Sequence, residues 1–421
     1  MTSFASSVLK LIRGNLFAQA IGFAGLPIMS RLYPPGDFGV VQTVMTLLTV
    51  LLIISSLRLE IAVLSVPEAK LNQLLRCASW LTLMTSVFAW LVAAALVEGG
   101  NAWASNHATL AMILPGIGLI AGWNQLMNYL LLRNRVFDLA SNAKVMQSIG
   151  YVATGVGLGF SSPGPVSLVI ADAIGRILSA GFVMKRIGFI WITLIRPPSL
   201  KELNAVMSRY RSLTTVGLGT ALINTAGSAF TTLMLMWLFS ANDAGQYAMV
   251  ERFVGMPIGL ISGASSQVFI SHVGRAISEN KKDEAIRTFR HIIRQHALIA
   301  ILPSLMLFVG GPIFLPLVLG RDWELAGQFL QAMSLFYFFS FITGPVNMAL
   351  TVVDKHEIQF LWDLGRLIIM GIMWLYIWSS GITALEALWL YVAMSIMCLL
   401  AFLVMSDSAL RGLTVKSASH G

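Results

Sequence analysis

Stretches of about 18 or more mostly apolar residues recur along the whole chain, separated by short polar connections. At about 1.5 Å per residue, each is long enough to cross roughly 30 Å of hydrocarbon. The pattern predicts twelve helices, at about 14–32, 38–66, 77–97, 108–132, 144–160, 166–184, 213–239, 245–270, 297–319, 329–352, 358–378 and 383–405. Helix is the expected form because in lipid each segment must satisfy its own backbone polar groups. Composition agrees: 57% of residues are hydrophobic and 11% charged, whereas soluble domains carry about 25% charged residues. The chain reads as an all-α polytopic membrane protein. Its start, MTSFASSVLKLIRGN, puts basic residues before an apolar run with no small-residue cleavage site, and reads as the lead-in to a retained helix.

The net charge of +9 matters through its placement. With these spans, 22 of the 28 Lys and Arg residues fall in alternate connections, including the runs Lys185–Arg211 and Arg275–Arg294. The opposite connections hold only Arg31 and Arg321. An excess of Lys and Arg marks the cytoplasmic side, so both termini are expected there. Topology thus explains the basic charge, and nucleic acid drops out as a partner. Cys77, Cys398 and six scattered histidines show no ligand spacing. No disulfide framework, metal or other cofactor is expected.

One hairpin occurs twice. In SRLYPPGDFGVVQTV, Ser30–Val44, the residues Pro34, Pro35 and Gly36 stop a helix. Asp37 is expected to cap the next one. MWLFSANDAGQYAMV, Met236–Val250, is a weaker copy, with Asn242 and Asp243 in the turn and cap positions. At an offset of 206, Leu32, Asp37 and Gly39 meet Leu238, Asp243 and Gly245. With six helices on each side of a basic linker, this predicts two pseudo-symmetric six-helix bundles, 1–190 and 212–406. Between and after them come a cytoplasmic linker, 191–211, and a tail, 407–421. Parallel halves of a transporter place the substrate cavity between them. The inward segments Lys185–Arg211 and His272–His296 alternate basic and apolar residues, as amphipathic helices on the inner leaflet do. The outward connections are too short for a catalytic domain, and P-loop, GxSxG and DxD elements are absent. A transporter is expected, not an enzyme.

Charges inside spans cost at least about 2.5–3.5 kcal/mol on insertion scales and mark functional candidates. Four groups qualify: Arg58 with Glu60, Asp172 with Arg176, Glu251 with Arg252, and Asp363 with Arg366. Asp172 and Arg176 are spaced i,i+4 for mutual neutralisation, and Asp363–Arg366 is expected to be a structural pair. Glu251 and Arg252 are sequence neighbours, so their side chains point about 100° apart and cannot simply pair. Gln19 and Asn224 correspond at an offset of 205. Their amides suit either interhelical hydrogen bonds or a polar cavity.

RLYPPGDFG followed by LRLEIAVLSVPE resembles the Wzx-type oligosaccharide flippases, polysaccharide-biosynthesis proteins of the multidrug/oligosaccharidyl-lipid/polysaccharide transporter superfamily. Arg31, Leu32, Tyr33, Pro35, Asp37, Phe38 and Gly39 carry the first element, and Leu57, Arg58, Leu59 and Glu60 the second. The resemblance implies two bundles forming a V around a central cavity in the bacterial inner membrane. It implies translocation of undecaprenyl-diphosphate-linked oligosaccharide between leaflets for O-antigen, capsule or exopolysaccharide, coupled to an ion gradient, with a polysaccharide polymerase as a further partner. On that reading Arg252, Arg176 and Arg58 bind the diphosphate, with Gln19 and Asn224 on the polar route. Glu251, Asp172 and Glu60 are then the ion-coupling residues. The alternative is a drug or organic-cation antiporter of the same superfamily, which needs cavity acids free of arginine.

Overall fold

The computed structural model describes residues 2–187 and 196–412. Residues 191–195 of the predicted linker and the tail beyond 412 lie outside the described residues. The fold is helical throughout, with no strand among the described residues. Six long helices come first: α1 (Thr2–Leu32), α2 (Pro35–Ser55), α3 (Glu68–Glu98), α4 (Ala108–Arg133), α5 (Phe137–Ser161) and α6 (Pro165–Ile187). A short helix, Leu200–Arg209, follows. Then come α7 (Leu218–Leu238), α8 (Ala241–Ser278), α9 (Lys282–Leu319), α10 (Glu324–Thr343), α11 (His356–Ser380) and α12 (Ala384–Arg411).

Ten helices of the described residues are long and apolar enough to cross a membrane. The two long helices outside that set are α1 and α5, which hold Asn15 and Gln19, and Asp138, Asn142 and Lys144. They are also packed through small residues. A Cβ on Gly14 would lie 2.2 Å from Ser141 Cβ, and one on Gly25 2.7 Å from the side chain of Val152. Close backbone approach replaces apolar bulk there, as small residues permit between membrane helices. The same device joins α5 to α6, where a Cβ on Gly175 would meet Gln147 O at 2.5 Å.

The chain divides into two compact units, Met1–Ala229 and Phe230–Gly421. The first has a core at the ends of α3 and α4 that includes Leu59, Val63, Leu74, Cys77 and Leu131. The helix Leu200–Arg209 docks on it through Leu203 and Val206. A capping box between Ser199 and Glu202 starts that helix, and Arg76 grips Glu202 at 2.6 Å. The second unit has a core around Phe269, Phe289, Val346 and Phe402.

Several elements differ from the sequence pattern. The predicted span 38–66 is broken: α2 ends at Ser55, and Leu57 and Arg58 take left-handed backbone angles, φ +51° and +67°. Two such residues in a row end the helical hydrogen-bond ladder. One turn, Leu59–Ala62, follows. The basic segment Lys282–His296 is not a separate surface helix but the start of α9. Asp37 is not the cap of α2. Pro34 occupies that position with Pro35 first in the helix, where its missing N–H costs nothing. In the repeat, Ser240 caps α8 by accepting from Asp243 N at 3.1 Å. At the 206 offset Ser240 matches Pro34 and Asp243 matches Asp37, so the hairpins agree in geometry one turn away from the expected capping residue. The first is tied to α5 by Tyr33 Oη, which donates to Gly155 O at 2.7 Å.

Candidate functional site

In the first unit, the break after α2 places Arg58 and Glu60 in one irregular turn. Glu60 is 1% exposed. Its carboxylate accepts from Ser56 Oγ and, at 3.3 Å, from Gln125 Nε2 of α4. Arg58 Nε is buried without a hydrogen-bond partner. On α6, Arg176 Nε donates to Asp172 Oδ2 at 2.6 Å, the neutralised i,i+4 pair that the spacing anticipates. Asn124 Nδ2 donates to Arg176 O at 3.1 Å and fastens that helix to α4. Gln19 lies partly buried on α1, one turn from Asn15, whose Oδ1 is buried without a partner. Asn224 is exposed on α7.

In the second unit, α8 is interrupted by a π-helical turn, Glu251–Gly255. Such turns are frequent at functional sites. Glu251 opens it, and its Oε1 accepts from Tyr247 Oη at 3.1 Å and from Tyr337 Oη at 2.8 Å. Both rings are buried, as is Tyr391. Thr231 on α7 lies beside Tyr247 and Tyr391. Oε2 points toward Gly255, where a Cβ would stand 2.3 Å from it. The carboxylate therefore occupies space that only glycine leaves. Arg252 follows on the same turn, partly buried. On α11, Asp363 and Arg366 stand 4.0 Å apart.

Outside the spans, charge pairs brace the turn between α8 and α9. Lys281 and Arg275 hold the Glu279 carboxyl down at about 2. Among the described residues no group of three His, Cys, Asp or Glu is placed to hold a metal ion.

Of the residues singled out in the sequence, Arg58 joins Glu60 and Asp172 joins Arg176 within the first unit, and Glu251 adjoins Arg252 in the second. The tyrosines around Glu251 escaped the sequence reading. Tyr247 precedes Glu251 by four residues and was findable on helical spacing. Tyr337 arrives from 86 residues away, so no local signal announced it.

Residues 28–327 match the family model described as "Polysaccharide biosynthesis protein". Teichuronic acid biosynthesis protein TuaB of Bacillus subtilis (strain 168) is 22% identical over 329 residues, which is 75% of this chain and 64% of TuaB. Among solved structures, the lipid II flippase MurJ in an inward closed conformation aligns at TM-score 0.69 and 13% identity, over 95% of this chain and 89% of MurJ. An inward-facing multidrug resistance MATE family transporter of the MOP superfamily aligns at TM-score 0.67 and 13% identity, over 94% and 96%. At such identities these likenesses establish a shared fold.

Proposed function

The chain belongs to the polysaccharide biosynthesis protein family, and from that premise we propose that it is a flippase for polyprenyl-diphosphate-linked oligosaccharide. It moves repeat units on undecaprenyl diphosphate from the inner to the outer leaflet of the bacterial inner membrane by alternating access, with both termini cytoplasmic. A polysaccharide polymerase receives the product. The observation that supports this reading is buried positive charge within an apolar helix, above all Arg176 on α6, which is paired with Asp172 at 2.6 Å. A glycan headgroup carries many hydroxyls, each costly to bury unpaired, and its diphosphate suits the guanidinium fork. Arg252, Arg176 and Arg58 contact the diphosphate, and Gln19 and Asn224 the hydroxyls. Of the carboxylates assigned to ion coupling, Asp172 is neutralised by Arg176. Glu60 and Glu251 are held by neutral donors, and Glu251 is the foremost group to take up and release a proton. No covalent step is involved.

Organic-cation antiport is the second reading, favoured by one observation: a carboxylate, Glu251, stands among the buried aromatic side chains of Tyr247 and Tyr337, which hydrogen-bond it. Sealed vesicles containing the protein and a labelled polyprenyl-diphosphate oligosaccharide test both. Side-specific headgroup accessibility is expected to change with time in a protein-dependent way, and to fail in Arg252→Ala. Export of tetraphenylphosphonium by the same vesicles, without headgroup movement, would replace the first reading with the second.

A further inference from the structure

A second polar group in the Phe230–Gly421 unit lies on α11 and has no part in the roles above. Gln359, Asp363 and Arg366 succeed one another at i+4 and i+3, on one helical face. Gln359 Nε2 donates to Asp363 Oδ2 at 3.2 Å, but Arg366 Nη2 stops 4.0 Å from Asp363 Oδ1. The Asp172–Arg176 pair closes to 2.6 Å, so the α11 pair is not the self-sufficient ion pair that its spacing permits. Two buried atoms are left with no hydrogen bond: Arg366 Nε, which can only donate, and Gln359 Oε1, which can only accept. Such orphans are uncommon and call for an explanation.

Two turns further along α11, Trp374 meets Phe230 edge-on at 5.4 Å. Phe230 in turn lies nearly parallel to Tyr391 at 6.5 Å. Trp374 and Phe230 are only partly buried. The α11 helix thus carries a polar group and, two turns on, an aromatic face.

Asp363 and Arg366 offset each other's charge, and what is left over is hydrogen-bonding capacity. The two orphan atoms call for a ligand that both accepts and donates, and the aromatic edges call for an apolar face. A sugar ring has all three properties, with hydroxyls around its rim and C–H groups on its faces. We propose that Gln359, Asp363 and Arg366, with the Phe230–Trp374 face about 12 Å further along the helix, form a subsite for successive uncharged sugar rings of the glycan headgroup, one on the polar group and another on the aromatic face. This rests on the lipid-linked oligosaccharide reading and assigns the second unit a part in recognising sugar rather than phosphate. Gln359 and Arg366 are long and rotatable, so side-chain repacking turns the two covered atoms to the ligand.

Binding to the purified full chain in detergent tests the subsite. One probe is the polyprenyl-diphosphate oligosaccharide fraction extracted from cells that natively make the protein. The other is the same fraction after enzymatic removal of its glycans. Arg366→Gln is expected to weaken binding of the first probe by about tenfold, the scale of one lost charged hydrogen bond, and Trp374→Ala by about tenfold through loss of the aromatic face. Both variants should leave the second probe within about twofold of wild type on that scale, and Trp374→Phe should bind both normally. Gln359→Leu gives an independent reading should Arg366→Gln fail to fold, and it too should lose only the glycan-bearing probe. Equal loss on both probes would make Arg366 a phosphate contact and overturn the subsite. Unchanged binding of both would reduce the α11 group to a structural role. Tetraphenylphosphonium binding abolished by Asp363→Asn would make it a cation site. If wild type binds the two probes equally, the sugar subsite falls and the flippase reading stands. If it binds neither, that reading falls and the subsite with it.

Discussion

Gly255→Ala tests whether the π-helical turn is built around the Glu251 carboxylate. Helix propensity alone favours the change, since alanine in a helix interior gains roughly 0.5–1 kcal/mol over glycine. The structure opposes it. The new Cβ would stand 2.3 Å from Glu251 Oε2, 2.9 Å from its Cδ and 3.2 Å from Oε1. Ordinary contact lies near 3.5 Å, so the carboxylate has to retreat by about 1 Å. The Tyr337 and Tyr247 bonds, now 2.8 and 3.1 Å, then exceed hydrogen-bonding range. Two such bonds in a buried site are together worth about 1–3 kcal/mol. That outweighs the propensity gain, so a net destabilisation of about 1–2 kcal/mol is expected. The assay is a double-mutant cycle with Tyr337→Phe, read by thermal unfolding in detergent and by flipping under an imposed pH gradient. Because both changes break the same contact, Tyr337→Phe should cost much less in the alanine background, with a coupling of about 1 kcal/mol. Strictly additive effects, or a Gly255→Ala protein more stable than wild type with unchanged gradient dependence, would refute the reasoning.

Gly175→Ala should lower thermal stability by about 1–3 kcal/mol, because its Cβ meets the α5 backbone, which cannot step aside. Gly371→Ala on α11, with open space around it, should be neutral or gain up to about 1 kcal/mol in the same melt. Asp172→Asn should destabilise more than the double replacement Asp172→Leu/Arg176→Met, since the single change leaves a largely buried arginine without its counter-charge. The comparison is again thermal unfolding. The Glu279 carboxyl is lowered from 4.5 to about 2, so its stabilisation is complete above pH 4.5 and is lost as pH falls toward 2. Amide exchange around the α8–α9 turn, corrected for intrinsic rates, should rise over that window in wild type. In Glu279→Gln it should be raised already at neutral pH and lack that transition.

The sequence by itself determined that this is a helical membrane protein. Uninterrupted apolar runs have only one way to satisfy their backbone in lipid, and that requirement is local. It also placed the doubled hairpin, since proline stops the helix beside it, although the cap positions are held by Pro34 and Ser240 rather than by the aspartates one turn on. It announced the Asp172–Arg176 pair too, whose partners share one helix. The tertiary structure decided the rest. The break after α2 leaves Arg58 and Glu60 in a turn, although the apolar run continues through it, because hydropathy does not record backbone handedness. The first and fifth helices fall below the apolarity of the others, yet they meet closely at Gly14 and Gly25, a pairing invisible until both helices are in place. Above all, Glu251 reads in the sequence only as an acid beside Arg252. Only packing brings Tyr337 to it and shows Gly255 as the space it fills, because helices far apart in the chain converge on one carboxylate.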